Sequence, residues 1–337
     1  MPGRAALSLG GSTPAALALA LVLDRAFGEP PEAVHPVVWM GRAVGLLVPP
    51  DPPRAGALTL LRGGVTAVGG TVVSGAAASA VALGARRAPR LVRAVVEGVE
   101  LWPLLALRAL LGAALRVGDA LQDGDLPRAR SELRWLVGRD RSLLDAPLVA
   151  SAAIESVAEN LADSVIAPLL YARAGGPAAA AAHRFANTAD AMVGYRDRHR
   201  LGGRVAARLD DVLGVVPARV CAGLITVAAP AGGGSVAGAL RAWRRDGGRT
   251  PSPNSGRPMA AMAGALGVRL EKPGVHVLNA HGAAPTAADI GRAVRITRAA
   301  VVLALGGTAV APLVGRRVVR SLASASAPLG RLGRHAA

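Results

Sequence analysis

The sequence contains very few cysteines, lysines and aromatic residues. Cys221 is the only cysteine, which excludes an internal disulfide and a cysteine-based structural zinc site, and its apolar surroundings favour a small buried residue. Lys272 is the only lysine, so the net charge of +17 comes almost entirely from arginine. These arginines are scattered through loops, and the 2% of aromatic residues leave little to stack on bases. Nucleic acid is therefore not an expected partner.

Several familiar site signatures are also missing from the sequence. It contains no GxxxxGK[ST] phosphate loop, no GxGxxG motif after a strand, no HExxH motif and no GxSxG elbow. A nucleotide, if this protein uses one, must therefore be held by a different kind of site.

Apolar residues dominate what is present. They make up 52% of the 337 residues, more than a soluble chain of this length usually carries. The excess is Ala, Val, Leu and Gly, which suits close helix packing in a membrane. Several windows are long and apolar enough to approach a bilayer span, two of them interrupted by arginine. These windows are residues 5–23, 63–85, 164–182, 212–231 and 299–315, whereas 101–115 is typical of a buried or interfacial helix.

These windows predict an all-α fold, a polytopic integral membrane helical bundle with about four to six spans, some of them re-entrant. The connecting loops are polar and rich in Pro and Gly, and no alternating β pattern of useful length is present. We expect one domain over residues 1–320 and a disordered tail over 321–337. Arginine-rich loops favour the cytoplasmic side, so we predict a multi-pass protein of the cell membrane with a cytoplasm-facing active site.

A stripe of acids interrupts the apolar stretch IESVAENLADSVIAPLL. Glu155, Glu159 and Asp163 are spaced four apart, so a helix would place them on one face, where like charges repel. They could pair with arginines, the candidates being Arg173, Arg184, Arg196 and Arg208. Ionisable groups in apolar helices are, however, costly and usually functional. Carboxylates suit a hard cation, and Mg²⁺ typically bridges them to substrate phosphates, so we predict a Mg²⁺–phosphate site.

Further acids and amides follow in the next polar stretches. HRFANTADAMVGYRDR contains Asn187, Asp190 and Asp197, and RVAARLDDVLGVVPAR contains Asp210 and Asp211. The pattern Asn-x-x-Asp occurs in NLAD, residues 160–163, and again in NTAD, residues 187–190. Residues three apart share a helix face, so each pattern offers an amide beside a carboxylate.

Two loops carry the remaining candidate residues. His35 and Arg42 lie in or near EAVHPVVWMGR, where a histidine before proline is more often structural than a base, and an arginine can grip a phosphate or carboxylate. SPNSG, which contains Ser252 and Asn254, is a turn by composition, and its small polar groups could also bind an anion. The histidines at 276 and 281 lack a helical metal-ligand spacing, so we interpret them as loop residues.

Five blocks of sequence together resemble the adenosylcobinamide-phosphate synthase family of cobalamin biosynthesis, the CobD/CbiB family. The blocks occur in the family's order over most of the chain. They are LDRAFGEPPEAVHPVVWMGRAV, GRDRSLLDAPLVASAAIESVAENLADSVIAPLLY, NTADAMVGYRDRHRLGG, ARLDDVLGVVPAR and SPNSGRPMAAMAGALGVRL.

The resemblance implies an integral membrane ligase. It implies ATP-dependent and Mg²⁺-dependent amide formation between adenosylcobyric acid and (R)-1-amino-2-propanol or its O-phosphate. The corrinoid and the amine would be its substrates, ATP a cosubstrate, and membrane lipid and other cobalamin-assembly proteins its candidate partners. Activating a carboxylate for amide formation is most simply done by phosphoryl transfer, which Mg²⁺ and arginines assist.

On this hypothesis the singled-out residues take distinct roles. We expect the carboxylates to hold Mg²⁺, the arginines and the SPNSG turn to bind phosphate or corrinoid carboxylate, and the amides to orient ligands. The sequence does not identify a general base for the amine, and His35 is the best candidate for that role. The catalytic candidates are Glu155, Glu159, Asp163, Asp190 and His35; the metal candidates are Glu155, Glu159, Asp163, Asp190 and Asp211; and the substrate or nucleotide candidates are Arg42, Asn160, Asn187, Arg208, Asp210, Asp211, Ser252 and Asn254.

Two other functions remain open at the level of sequence. An intramembrane prenyltransferase would also hold Mg²⁺-pyrophosphate with acids on apolar helices, but it would need two separated Asp-rich motifs. A transporter or sensor would use intramembrane carboxylates for ions or protons and would favour an inverted repeat. Convergence of Glu155, Glu159, Asp190 and Asp211 in one pocket open to the cytoplasm would favour an enzyme, whereas separation along a through-path would favour transport.

Overall fold

The described part of the chain folds into twelve α-helices and one short β-hairpin. The structure, a computed structural model, describes residues 11–52, 55–194 and 199–325. Strand β1 (Leu270–Lys272) pairs antiparallel with β2 (His276–Leu278). The helices are α1 (Pro14–Phe27), α2 (Pro36–Leu47), α3 (Ala57–Gly84), α4 (Arg90–Leu101), α5 (Leu107–Gln122), α6 (Leu126–Glu132), α7 (Ala146–Leu161), α8 (Ala167–Val193), α9 (Arg204–Ala228), α10 (Val236–Asp246), α11 (Gly256–Leu266) and α12 (Ala287–Ala325).

Helix α7 is the central element of the fold. It begins where the Asp145 carboxylate accepts a hydrogen bond from the Leu148 N–H at 2.9 Å, and residues 149–158 are all buried. Most of these side chains are small, so neighbouring helices can approach closely. Helices α5, α11 and α12 and strand β1 all pack against it. The acid stripe predicted from the sequence therefore lies in the core of the protein.

The backbone changes its winding directly after α7. A π-helical turn covers Ala162–Ile166, between α7 and α8, and it contains Asp163. A π turn widens the helix and rotates the following residues relative to an uninterrupted α-helix, and such turns occur frequently at functional sites. The strict spacing of four that the sequence suggested is thus altered at the third acid of the stripe.

Helix α8 is two helices joined by a sharp break. Gly175 has φ −138° and ψ 20°, and Gly176 has φ 71°, a left-handed conformation that favours glycine. Pro177 then starts the second half, where its missing N–H costs nothing. The Gly-Gly-Pro break within the predicted window 164–182 is therefore real, and that window is not one continuous span.

Three segments of the described residues are long and apolar enough to cross a membrane. They are Ala57–Arg87, Arg90–Gln122 and Arg204–Gly232. The first and the third contain the predicted windows 63–85 and 212–231. Helix α3 in the first segment is mostly exposed and presents a row of valine and leucine side chains, as a lipid-facing helix does. An all-helical polytopic membrane protein, as the sequence predicted, is the architecture that this arrangement supports.

The remaining windows differ from the prediction in detail. The segment Arg90–Gln122 contains 101–115, which we expected to be buried or interfacial, and a 3₁₀ turn at Trp102–Leu104 divides it into α4 and α5. The window 299–315 lies within α12, and residues 11–23 of the first window lie in or just before α1, the earlier ones being outside the described residues. The total of four to six spans stays a prediction.

Two details of the C-terminal part of the chain add to what the sequence predicted. The sequence showed no useful β pattern, yet the three-residue strands β1 and β2 form a hairpin, because strands this short leave almost no alternation to detect. Helix α12 continues to Ala325, so residues 321–325 of the predicted tail are helical. The rest of that tail, 326–337, lies outside the described residues.

A fully buried carboxylate attaches the chain after the hairpin to α10. Asp246, whose side chain is 0% exposed, accepts hydrogen bonds from the Asn279 N–H at 2.8 Å and from Arg245, and it also pairs with Arg249 at 3.3 Å. Burial disfavours the charged form, but these hydrogen bonds and the two guanidinium charges outweigh it and lower the pKa of Asp246. This anchor fixes the base of the hairpin.

Candidate functional site

The hairpin brings a histidine to the first acid of the stripe. His276 Nε2 lies 2.9 Å from Glu155 Oε1, and both side chains are less than a tenth exposed. One turn earlier on α7, the Ser151 hydroxyl accepts from the Glu271 N–H at 2.7 Å, which holds β1 against the helix. The sequence interpretation missed His276, because its partner Glu155 lies 121 residues away in the chain and no local pattern links the two.

The second acid of the stripe faces more than one charge. Glu159 is partly buried, and burial followed by the nearby Glu155 carboxylate raises its pKa. Lys272 and His276 on the hairpin act in the opposite direction, as does any cation close to a carboxylate. The only lysine of the chain therefore lies within electrostatic range of the stripe, a contact that no sequence motif signals.

Helices α8 and α9 add three acids to the same cluster. Burial, followed by the charges of Asp210 and Asp211, raises the pKa of Asp190 to about 7. Burial and then the charge of Asp210 likewise raise the pKa of Asp163. Asn187 donates a hydrogen bond from Nδ2 to Asp210 Oδ1 at 3.2 Å, which orients that carboxylate. Asp210 thus lies between the π turn and the end of α8.

The candidate carboxylates converge and do not spread along the fold. Glu155 acts on Glu159, Glu159 acts on Asp190, and Asp190 is also affected by Asp211. Within the residues that the structure describes, no arginine or lysine forms an ion pair with Glu159, Asp163 or Asp190. The arginines considered as partners in the sequence are engaged elsewhere or exposed. Arg173 donates to the Thr308 carbonyl, Arg184 contacts Ser164 and Asn187, and Arg208 is exposed. Arg196 and Asp197 lie outside the described residues.

Arg184 is a cation that acts on two acids of this cluster. Its Nη1 donates to Ser164 Oγ at 2.8 Å and to Asn187 Oδ1 at 3.4 Å, while its Nε is buried without a hydrogen-bond partner. Asp163 and Asp210 act on it from one side and Glu29 from the other. The sequence interpretation treated Arg184 only as a possible charge partner, so its proximity to Asp163, Asp210 and Glu29 is new information from the fold.

A pocket of about 650 Å³ opens on the other side of Arg184. Its polar lining includes Asn160, Ser164 and Arg184 from the α7–α8 region, with Glu29 and Arg108 opposite. Asp24 Oδ2 accepts from the Arg108 backbone N–H at 2.9 Å, and the Arg108 guanidinium donates from Nη1 to the Ala26 carbonyl at 2.7 Å. This volume is that of a typical small-ligand pocket. A larger groove of about 1300 Å³ along α2 and α3 has mostly apolar walls and lacks the acid cluster.

Two predicted site residues near the N-terminus make contacts with neighbouring parts of the fold. His35 caps α2, since its Nδ1 accepts a hydrogen bond from the Val37 N–H at 3.2 Å. Burial lowers its pKa, and the nearby Arg184 acts in the same direction. Arg42 is 60% exposed and pairs with the exposed Glu32 at 3.3 Å. The structural interpretation of His35 therefore gains support, whereas its role as a base stays a prediction.

The SPNSG turn packs against α9 close to the acids. Asn254 is buried, and its Nδ2 donates to the Asp211 carbonyl at 2.7 Å. This contact needs Gly214, because a Cβ there would lie 2.6 Å from Asn254 Nδ2. Ser252 Oγ accepts from the Asn254 and Ser255 N–H groups, which closes the turn. The turn thus supports the helix that carries Asp210 and Asp211, and anion binding by it stays a prediction.

The arrangement of acids suits a metal ion that takes only part of its coordination shell from the protein. The described residues contain no group of three or more His, Cys, Asp and Glu side chains placed to hold a metal ion by themselves. Mg²⁺ usually takes one or two carboxylates and completes its shell with water and substrate phosphates. Asp163, Asp190 and Asp210 offer oxygen ligands of this kind, and their crowding disfavours their charged forms without a cation. Glu155 is engaged by His276 instead.

Comparison with known proteins gives a consistent result. The model of the family described as CobD/Cbib protein matches residues 17–301. The chain is 45% identical over 257 residues to the cobalamin biosynthesis protein CobD of Geobacter metallireducens, covering 74% of this chain and 79% of the relative. It is 41% identical over 266 residues to the probable cobalamin biosynthesis protein CobD of Methanothermobacter thermautotrophicus, covering 78% and 85%. It is 39% identical over 291 residues to CobD of Mycobacterium tuberculosis, covering 82% and 88%. No solved structure matches.

Proposed function

This chain belongs to the CobD/CbiB family of cobalamin biosynthesis proteins, and on that premise we propose that it is a membrane amide ligase. The proposed reaction joins a carboxylate of adenosylcobyric acid to (R)-1-amino-2-propanol or its O-phosphate, with ATP as cosubstrate and Mg²⁺ as cofactor. The observation that carries this proposal is the convergence of the carboxylates around Arg184, next to a pocket of about 650 Å³.

The positive side chains of the pocket suit anionic substrates. Arg184 lines the pocket and lies within electrostatic range of the acids, and Arg108 lines the pocket with its guanidinium bonded to the Ala26 carbonyl. A guanidinium can bind a phosphate or a carboxylate through two parallel hydrogen bonds. We assign these two arginines to the phosphates of the nucleotide or to the corrinoid carboxylate, in place of Arg42 and Arg208, which do not line this pocket.

The acids would hold the metal from behind the pocket. One or two of Asp163, Asp190 and Asp210 would be the protein ligands, and water and substrate phosphates would complete the shell. Glu159 and Asp211 belong to the same cluster. When bound, Mg²⁺ supplies positive charge to the phosphates during phosphoryl transfer. Asn187 keeps the Asp210 carboxylate in one orientation, and the Glu155–His276 pair fixes the hairpin over the stripe.

The convergence also bears on the two other functions. A transporter would distribute its carboxylates along a path through the membrane, whereas Glu155, Glu159, Asp190 and Asp211 form one connected cluster here. A prenyltransferase would likewise bring its acidic motifs together around Mg²⁺-pyrophosphate. The cluster therefore supports an enzyme over a transporter, and the family match supports the ligase over the prenyltransferase.

An in vitro reaction tests the proposal. Purified protein would receive adenosylcobyric acid, ATP, Mg²⁺ and either aminopropanol or its phosphate, with the corrinoid amide measured by mass spectrometry. We expect wild type to form the amide, Asp210→Asn to lose about 100-fold or more of the rate, and the exposed Asp119→Asn control to retain it. If folded wild-type protein formed no product with either amine, the ligase proposal would be refuted. Full activity of Asp210→Asn would refute the assigned site.

A further inference from the structure

A second polar cleft lies far from the acid cluster. It has a volume of about 710 Å³ and is bordered by the end of α3, the start of α4 and the break in α8. Arg86, Arg90 and Arg93 line one side, Glu97 lies beside them, and the backbone at Gly176 closes the other. Nothing in the proposed reaction uses this cleft.

The cleft carries uncompensated positive charge. Within the described part of the chain, Arg86, Arg90 and Arg93 form no ion pair, and Glu97 balances only one of the three charges. Arg93 Nε is buried without a hydrogen-bond partner, as is Glu97 Oε2. A buried donor left unpaired is costly, and a ligand that accepts hydrogen bonds would satisfy it. Three guanidinium groups facing one cavity are suited to a phosphate group.

The position of the cleft identifies the source of that phosphate. The candidate span Ala57–Arg87 ends at these arginines, so they lie where an apolar helix leaves the membrane and lipid head groups are found. Ala82 and Leu83 on the last turn of α3 add an apolar wall to the polar cleft. A lipid offers both parts at once, a phosphate for the arginines and an apolar body for the helix.

We propose that this cleft binds the phosphate head group of an anionic phospholipid. The net positive charge selects an anionic over a zwitterionic head group, because the latter brings its own cation into the cleft. The site is separate from the acid cluster. Gly63 near the other end of α3 packs against Gly202, just before the helix that carries Asp210, and about 30 Å of α3 lies between Gly63 and the cleft.

Thermal unfolding in lipid of defined composition tests this proposal. Purified full-length protein in neutral detergent would be mixed with phosphatidylglycerol or with phosphatidylcholine of the same acyl chains. We expect phosphatidylglycerol to raise the unfolding midpoint by about 3 °C or more over phosphatidylcholine. Arg86→Gln and Arg90→Gln, which change exposed side chains and leave folding intact, should remove at least half of that difference.

Matched measurements separate the site from general charge effects. Arg87 lies in the same turn but does not line the cleft, so Arg87→Gln should keep the full lipid effect. Equal losses in Arg87→Gln and Arg90→Gln, or no difference between the two lipids in wild type, would overturn the proposal. Soluble glycerol phosphate should stabilise the protein far less than phosphatidylglycerol does. Equal stabilisation by the soluble compound would assign the cleft to a free phosphate ligand and overturn the lipid assignment.

Discussion

Asp190→Asn should make the metal-free protein more stable, even though Asp190 is a proposed metal ligand. In the folded protein, burial and the neighbouring carboxylates raise the pKa of Asp190 from 3.8 to about 7. The folded state therefore disfavours the charged form that the unfolded chain adopts readily. Asparagine keeps the shape of the side chain and removes the charge, so the variant escapes this penalty.

The size of the effect follows from the shift. About three pKa units at about 1.4 kcal/mol each give a ceiling of about 4 kcal/mol. The side chain is partly exposed and its charge is shared among coupled neighbours, so we expect about 1–2 kcal/mol. Because the folded pKa is raised, wild-type stability falls as pH rises from 3.8 through about 7, and the penalty is complete above that value. The gain from Asp190→Asn is therefore small in acid and largest in base.

Thermal unfolding in detergent with a chelator would measure this gain at about pH 5 and about pH 8. Asp190→Asn should unfold about 2–5 °C above wild type at the higher pH and much closer to it at the lower pH. Asp119→Asn, which changes an exposed acid on α5, should shift neither midpoint. A variant less stable than wild type at the higher pH, or a gain that does not change with pH, would refute the electrostatic reasoning.

Three further substitutions probe the packing around the site, each by chemical or thermal unfolding. Tyr171→Phe should cost about 1 kcal/mol, because Pro217 cannot donate to the Leu213 carbonyl and the Tyr171 hydroxyl does so at 2.9 Å. Gly214→Ala should cost about 1–3 kcal/mol through its clash with the SPNSG turn, whereas Ala at the open position 223 should cost little. Asp246→Asn should lower the stability by about 2–3 kcal/mol at neutral pH, because it removes the buried negative partner of Arg245 and Arg249.

Each of these three predictions has an outcome that would contradict it. If Tyr171→Phe left the stability unchanged, water would have to replace the hydroxyl at the helix carbonyl. Equal effects of the glycine substitutions at 214 and 223 would remove the argument from close approach. The lowered pKa of Asp246 stabilises the protein above its ordinary range, and this stability is lost as pH falls through the folded value. The cost of Asp246→Asn should therefore shrink in acid, and a constant cost would contradict the ion-pair explanation.

The sequence predicted the parts of the site that depend on local spacing. Glu155 and Glu159 share a helix face because four residues complete about one turn, and the Gly-Gly-Pro break in α8 follows from the backbone limits of those residues. It did not predict the π turn at Asp163, since no local composition rule distinguishes a π turn from an α turn. His276 was missed for a different reason, because its partner is distant in the chain.

Composition and local pattern by themselves determined the class of this protein. The apolar content, the arginine-bracketed windows and the acids in an apolar helix indicated a helical membrane protein with a buried polar site. Only the tertiary structure decided which charges meet. Arg184 faces Asp163 and Asp210, Lys272 approaches Glu159, and the acids of three helices form one cluster. Periodicity determines which face of a helix a residue occupies, whereas helix crossings determine which faces come together, and those depend on the packing of the whole core.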